Sequence, residues 1–282
     1  MRYIRMTWEF VKSNLPRLML AALVPALILP VILDINGIFR FFQHLGQHTP
    51  QSFGAVFGAM FGIRSWWWIA GVMLILGVCS VFQSAMVGHI QRRMSYGDMR
   101  KLGVRNFFYN VNNYFLPTLQ VSALFALFVL AIGFLIAVFC YLWAKMSFVA
   151  AVALSVATGF VFVAGALFVI VLFMTVLPNM TIKGYRLFFA IRVSLTACSK
   201  KLASIYFAIV LPLLLMFVPV TLLGIWNFKG AGILHYLGSF WMFFFLHVYT
   251  VPLMYVIFYD TEELERQDIA KSVSGREKYA AD

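Results

Sequence analysis

Six apolar stretches, at about 15–35, 66–90, 116–141, 148–177, 203–226 and 234–259, leave this chain one kind of environment to fold in. Crossing about 30 Å of hydrocarbon takes about 20 apolar residues at a rise of about 1.5 Å each, and every stretch reaches or approaches that length. In lipid each backbone N–H and C=O must be paired within the protein, which leaves helices or a closed barrel. Long apolar runs without strict alternation read as helices. The expected fold is therefore an all-α integral membrane protein: one six-span domain over 1–259 and a short charged tail over 260–282. Composition agrees, since 11% of residues are charged and mean hydropathy is +0.90, against about 25% charged in a soluble domain.

The first stretch is interrupted by Pro25 and Pro30 and closed by Asp34. Its basic head imitates a signal peptide, but no small-x-small cleavage site follows, so it reads as the first span. Three scattered cysteines, Cys79, Cys140 and Cys198, have neither disulfide nor metal spacing. His44 and His48 are four apart but lack a nearby third ligand, and no metal or cofactor is expected.

Orientation follows from the basic residues. Eighteen of the 22 fall at the two termini and in the second and fourth connections, against four (Arg40, Arg64, Lys145 and Lys229) in the other connections. The positive-inside rule places both termini in the cytoplasm. The net charge of +12 is thus a membrane signature; groove-reading motifs are absent and no nucleic-acid partner is expected.

Residues 181–201 carry Lys183, Arg186, Arg192, Lys200 and Lys201 and no acid; residues 95–114 carry Arg100, Lys101 and Arg105. Read as a helix, the fourth connection places Leu187, Ile191, Leu195 and Cys198 on one face with Lys183, Arg186, Lys200 and Lys201 off it. Such a segment lies among headgroups and draws about 1 kcal/mol from each cation near an anionic leaflet. It serves either as a plain topogenic loop or as a contact for lipid or a partner. A loose repeat relates 94–95 to 180–181 and Leu15-Pro16-Arg17-Leu18 to Leu116-Pro117-Thr118-Leu119. The expected plan is an interfacial segment ahead of a span hairpin, three times over.

Between the first two spans, Gly54, Gly58 and Gly62 recur every four residues along one helix face. The apolar stretch is too short to cross. It is expected in the outer interface or as a re-entrant helix, packing within the chain, against a second protomer or partner, or along a pore. Trp66, Trp67 and Trp68 follow as an outer-boundary anchor. The tail holds seven of the ten acids and reads as a short solvated helix from about Thr261.

Ionisable groups inside a membrane usually mark transport pathways. Here the polar candidates are Gln83, Gln120 and His247, with His89 and Asp34 nearer the ends. His247 is either a neutral histidine bonded to a neighbouring helix or part of an intramembrane site. Prolines 25, 30, 212, 219 and 252 read as kinked packing or as broken spans of a transporter, although no acid stands beside them to hold a coupling ion. No nucleotide, esterase or metalloprotease motif is present.

With Gly184, Ala190, Arg192 and Ser194 ahead of a span, and YVIFYDTEELE at 255–265 leaving the last one, the second half resembles bacterial six-span proteins related to the glycerophosphodiester phosphodiesterase membrane domain. In that family an acid commonly precedes the glycine, where this chain has Ile182-Lys183. The resemblance implies a bacterial inner membrane and, without the soluble hydrolase domain, no catalytic residues. The expected function is a non-catalytic scaffold or accessory subunit, touching anionic lipid, a protein partner or a second copy through its basic face. The alternative is a transporter or channel for an apolar or lipid-like substrate.

Overall fold

A computed structural model describes residues 2–32, 53–54, 57–58, 67–97, 104–146, 148–225 and 232–269. Asp34, His44, His48, Gly62, Trp66, Arg100, Lys101 and Lys229 lie outside them, as do the side chains of Trp67, Trp68 and Pro219. The described residues form helices α1 (Arg2–Ile32), α2 (Trp67–Tyr96), α3 (Val104–Trp143), α4 (Phe148–Leu172), α5 (Val176–Ile182), α6 (Leu187–Ser199), α7 (Leu202–Ile225) and α8 (Gly232–Thr261). Five helical stretches are long and apolar enough to cross a membrane, and a sixth is added when α6 and α7, bent by 96° at Ser199–Lys201, are taken together.

Helix α8 is the axis of the bundle. Nine consecutive residues, 251–259, are buried, so more than two turns of helix are enclosed on every side. Helices α1, α2, α5 and α7 supply the enclosure, with α1 the most extensive neighbour. Helices α3 and α4 stand further out and present Leu127, Val129, Phe134, Phe160, Val161 and Phe168 outward. Large apolar side chains facing out are what a lipid solvent accommodates; between helices, small residues let backbones approach.

The seam between α2 and α3 shows the second rule. A Cβ on Gly88 would lie 2.3 Å from Cγ of Asn110. Asn110 donates to the Ala85 carbonyl (3.3 Å) and accepts from Arg92 (2.7 Å), whose guanidinium lies 4.9 Å from the Tyr109 ring. Further along, the hydroxyls of Ser84 and Thr118 meet at 3.2 Å, and Thr118 also returns to the Tyr114 carbonyl at 2.8 Å.

Several expectations need correction. The three inner interfacial segments do not share one structure. The N-terminal segment is the opening of a continuous 31-residue α1, and of the second, residues 95–96 end α2 and 104–114 open the 40-residue α3. The third alone forms a separate helix, because the chain turns sharply at Ser199–Lys201. No new helix starts at Thr261: α8 ends there, Glu263 takes a left-handed φ of 55°, the Leu264 N–H caps the Tyr259 carbonyl at 2.9 Å, and helical residues resume at 267–269, the last of the described residues. The chain then folds back, burying Arg266 to 7% exposure.

Of the outer segment, the described residues 53–54 and 57–58 make their ring contacts through the two phenylalanines. Phe53 meets Phe134 (5.3 Å) and Tyr141 (6.2 Å), and Phe57 meets Phe134 (6.0 Å), so the aromatic side rests on the far half of α3. A Cβ on Gly54 would meet nothing within 4 Å, and Gly58 is half-buried.

Candidate functional site

The basic end of the bundle is assembled around two carboxylates at the exit of α8. Asp260, its side chain 9% exposed, accepts from Arg2 (2.9 Å), the Tyr3 hydroxyl (2.6 Å) and Lys201 (2.7 Å). Lys201 also donates to the Asp260 carbonyl at 2.9 Å, so one ammonium fastens the start of α7 to the end of α8. Charge-assisted bonds of this kind are short and strong, and a half-sheltered carboxylate needs them to offset its lost hydration.

Glu262 pairs with Lys183, whose ammonium also lies 5.6 Å from the Phe258 ring and 5.7 Å from the Tyr185 ring. Beyond the turn, Arg266 grips Asp268 through two nitrogens (3.2 and 2.8 Å) and sits 5.8 Å from the Phe10 ring. Two tyrosines of α8 complete the hub, with Tyr255 bonded to Thr181 at 2.7 Å and Tyr259 to Ser95 at 2.5 Å. Elements from α1, α2, α5, α7 and α8 thus converge on one surface.

Local sequence explains how α6 joins them. Pro178 has no N–H to give the Met174 carbonyl, and the chain breaks at 173–175 between α4 and α5. Ser194 closes that break: it accepts from the Thr175 N–H (3.2 Å) and hydroxyl (2.9 Å) and donates to the Leu172 carbonyl (2.7 Å). Asn179 adds a bond to the Thr175 carbonyl at 2.9 Å. Gly184, at φ +67°, turns the chain into α6.

The face of α6 that packs is therefore Ala190, Ser194 and Cys198, one residue every four. Leu187 and Ile191 pack half-buried beside it, so of the expected apolar face Leu187, Ile191 and Cys198 pack and Leu195, 38% exposed, turns outward. Phe188, at 85% exposure, lies on the same outward side as Leu195. On the remaining side a groove of about 430 Å³ runs between Phe189, Arg192 and Thr196 of α6, with Lys200 at its C-cap, and Thr261 at the end of α8 with Glu262 just beyond, Lys201 also lining it.

Of the cations singled out by sequence, Lys183 and Lys201 are engaged in internal pairs. Arg105, Arg186, Arg192 and Lys200 are exposed and have no acidic partner among the described residues. The intramembrane candidates divide similarly. Gln83 donates to Nε2 of His247 (3.1 Å), Ser122 donates to Oε1 of Gln83 (2.9 Å), and Nδ1–H of His247 donates to the Phe243 carbonyl (2.8 Å). This arrangement assigns a neutral imidazole with its proton on Nδ1. Gln120 is half-buried and does not join the chain of bonds, being two positions from Ser122 and so about 200° around the helix.

Sequence reasoning missed Asp260, Tyr3 and Ser122. A carboxylate at the first polar position after an apolar run, in a chain with cations at every inner loop, was the available signal for Asp260. No group of three His, Cys, Asp or Glu side chains suited to a metal occurs among the described residues. The helices and their apolar surfaces define a multi-pass helical bundle of membrane-crossing length. Compared with models of known families, with curated proteins and with solved structures, the chain matches none.

Proposed function

We propose that this chain is a non-catalytic multi-pass membrane protein, a scaffold or accessory subunit whose basic end faces the cytoplasm and engages the anionic leaflet. The carrying observation is the division of labour among the cations. Lys183 and Lys201 are spent on Glu262 and Asp260, fixing the end of the bundle, while Arg105, Arg186, Arg192 and Lys200 point outward. Outward cations beside a membrane draw on the leaflet's negative potential, about 1 kcal/mol each.

The polar groups within the bundle support the same reading over a transporter. Gln83, His247 and Ser122 satisfy one another, and Tyr249 answers the backbone around Pro212, so these groups serve packing between helices. A bacterial inner membrane, implied by the resemblance carried by Gly184, Ala190, Arg192 and Ser194, belongs to the proposal.

The test is purification in mild detergent of the wild type and of a variant with Arg186→Gln and Arg192→Gln together. The wild type should retain anionic lipid and any partner that the variant loses. Equal membrane insertion and an unchanged complement of lipid and protein in the variant would reduce the basic loop to a topological signal.

A further inference from the structure

Building on that reading, we infer that the groove between α6 and the end of α8 is a binding site for the phosphate headgroup of an anionic glycerophospholipid. Arg192 and Lys200 are its anion contacts, and Phe188 and Leu195 provide the surface for its acyl chains.

Helix α6 has three sides with three different jobs. Ala190, Ser194 and Cys198 face the bundle. Phe188 and Leu195, seven residues apart and exposed, form an apolar side. Arg192, Thr196 and Lys200, at intervals of four, form the groove side and set a guanidinium, a hydroxyl and an ammonium along about 12 Å of helix.

Charge complementarity sets the ligand's sign. The groove and its rim bring together Arg192, Lys200, Lys201 and Lys183 against Glu262 and Asp260, and both carboxylates are already paired. Asp260 takes a further cation in Arg2. The surplus is positive, and it resides on the two side chains without an acid among the described residues, Arg192 and Lys200. A guanidinium presents a planar fork of donors that matches phosphate oxygens, and the ammonium adds a point charge. Thr196 and Thr261 line opposite walls, their hydroxyls donating to the Arg192 (3.2 Å) and Phe258 (3.0 Å) carbonyls of their own helices, so the anion contacts rest on the two cations.

Two features select a lipid over a soluble phosphate. The 96° bend lays α6 across the direction of α7, so with α7 crossing the bilayer α6 lies in the headgroup plane. The groove is then at the depth of lipid phosphates. A soluble anion would use the cations and leave Phe188, 85% exposed, in water; a phospholipid uses both sides at once.

The experiment uses the full chain in detergent, titrated with phosphatidylglycerol and separately with phosphatidylcholine, and read by native mass spectrometry. The wild type should bind phosphatidylglycerol more tightly. R192Q/K200Q should weaken it roughly 30-fold, two cations at about fivefold each, and leave phosphatidylcholine unchanged. F188S should weaken phosphatidylglycerol about fivefold, and millimolar inorganic phosphate should not displace it. All three side chains are exposed, and circular dichroism verifies that the variants stay helical. Unchanged affinity in R192Q/K200Q overturns the site. Displacement by inorganic phosphate, with F188S indistinguishable from wild type, overturns the lipid assignment in favour of a soluble anion. R105Q/R186Q separates this inference from the broader one. Loss in R105Q/R186Q alone sinks the groove and keeps the anionic-leaflet reading, whereas no loss in either variant sinks both.

Discussion

The hydroxyl of Tyr249 donates to the carbonyl of Ala208 at 2.9 Å, and Ala208 is the residue four positions before Pro212. Proline has no N–H, so the carbonyl one turn earlier loses its helical donor. Inside a membrane no water replaces it, and the neighbouring helix does. Tyr249→Phe removes only that donor. It should lower stability in detergent by about 1 kcal/mol, near the usual worth of an interhelical hydrogen bond in membranes, as read by thermal unfolding. An unchanged midpoint would mean that Ala208 finds another donor.

Gly88 is the tightest position of the α2–α3 seam. Gly88→Ala places a methyl 2.3 Å from Asn110 Cγ, too close for any real contact. The helices must part or Asn110 must abandon its bonds to Ala85 and Arg92, at about 2 kcal/mol or more. In an Asn110→Ala background the same change should cost much less, because the obstructing side chain is gone. A double-mutant cycle checks the coupling, and additive effects would contradict the seam.

Asp260→Asn leaves Arg2 and Lys201 without their shared counter-charge. Breaking a fully buried pair costs about 3–5 kcal/mol. Here Arg2 is 73% exposed and Lys201 40%, so solvent takes up part of the deficit and about 1–2 kcal/mol is expected. Limited proteolysis should show residues 2–12 cut faster in the variant.

All three cysteines are buried, at 4% exposure or less. A membrane-impermeant maleimide should therefore leave the native chain unlabelled until it is denatured. Against that silent background, a cysteine placed at Lys229 should label from outside intact cells and one placed at Lys200 only after permeabilisation. The reverse pattern would invert the proposed orientation.

Spans and basic clustering were legible in the sequence because both are properties of long windows: about 20 apolar residues cross a bilayer whatever their order. The faces of helices were not. In water the apolar side of a helix is the buried side; in lipid both sides are apolar, and the small residues turn inward. On α6 the expected face of Leu187, Ile191, Leu195 and Cys198 accordingly splits: Leu195 turns outward, while the small Ala190 and Ser194 turn inward beside Cys198.

The pairing of Gln83 with His247 was within reach, since two lone polar groups in neighbouring apolar runs tend to seek each other. The participation of Ser122 in place of Gln120 depended on helix rotation. The break at 173–175 was announced by Pro178, yet its closure by Ser194 joins residues 19 apart across a turn that no local pattern encodes.

The bond from Tyr3 to Asp260 spans 257 positions of sequence. At about 5–20 residues per second, the ribosome delivers Asp260 roughly 13–50 s after Tyr3. For that interval α1 lacks the helix that becomes its main neighbour. The packing of α1 is therefore completed late in synthesis, and a chain terminated before 251 would lack the fully enclosed turns of α8 around which α1, α2, α5 and α7 assemble.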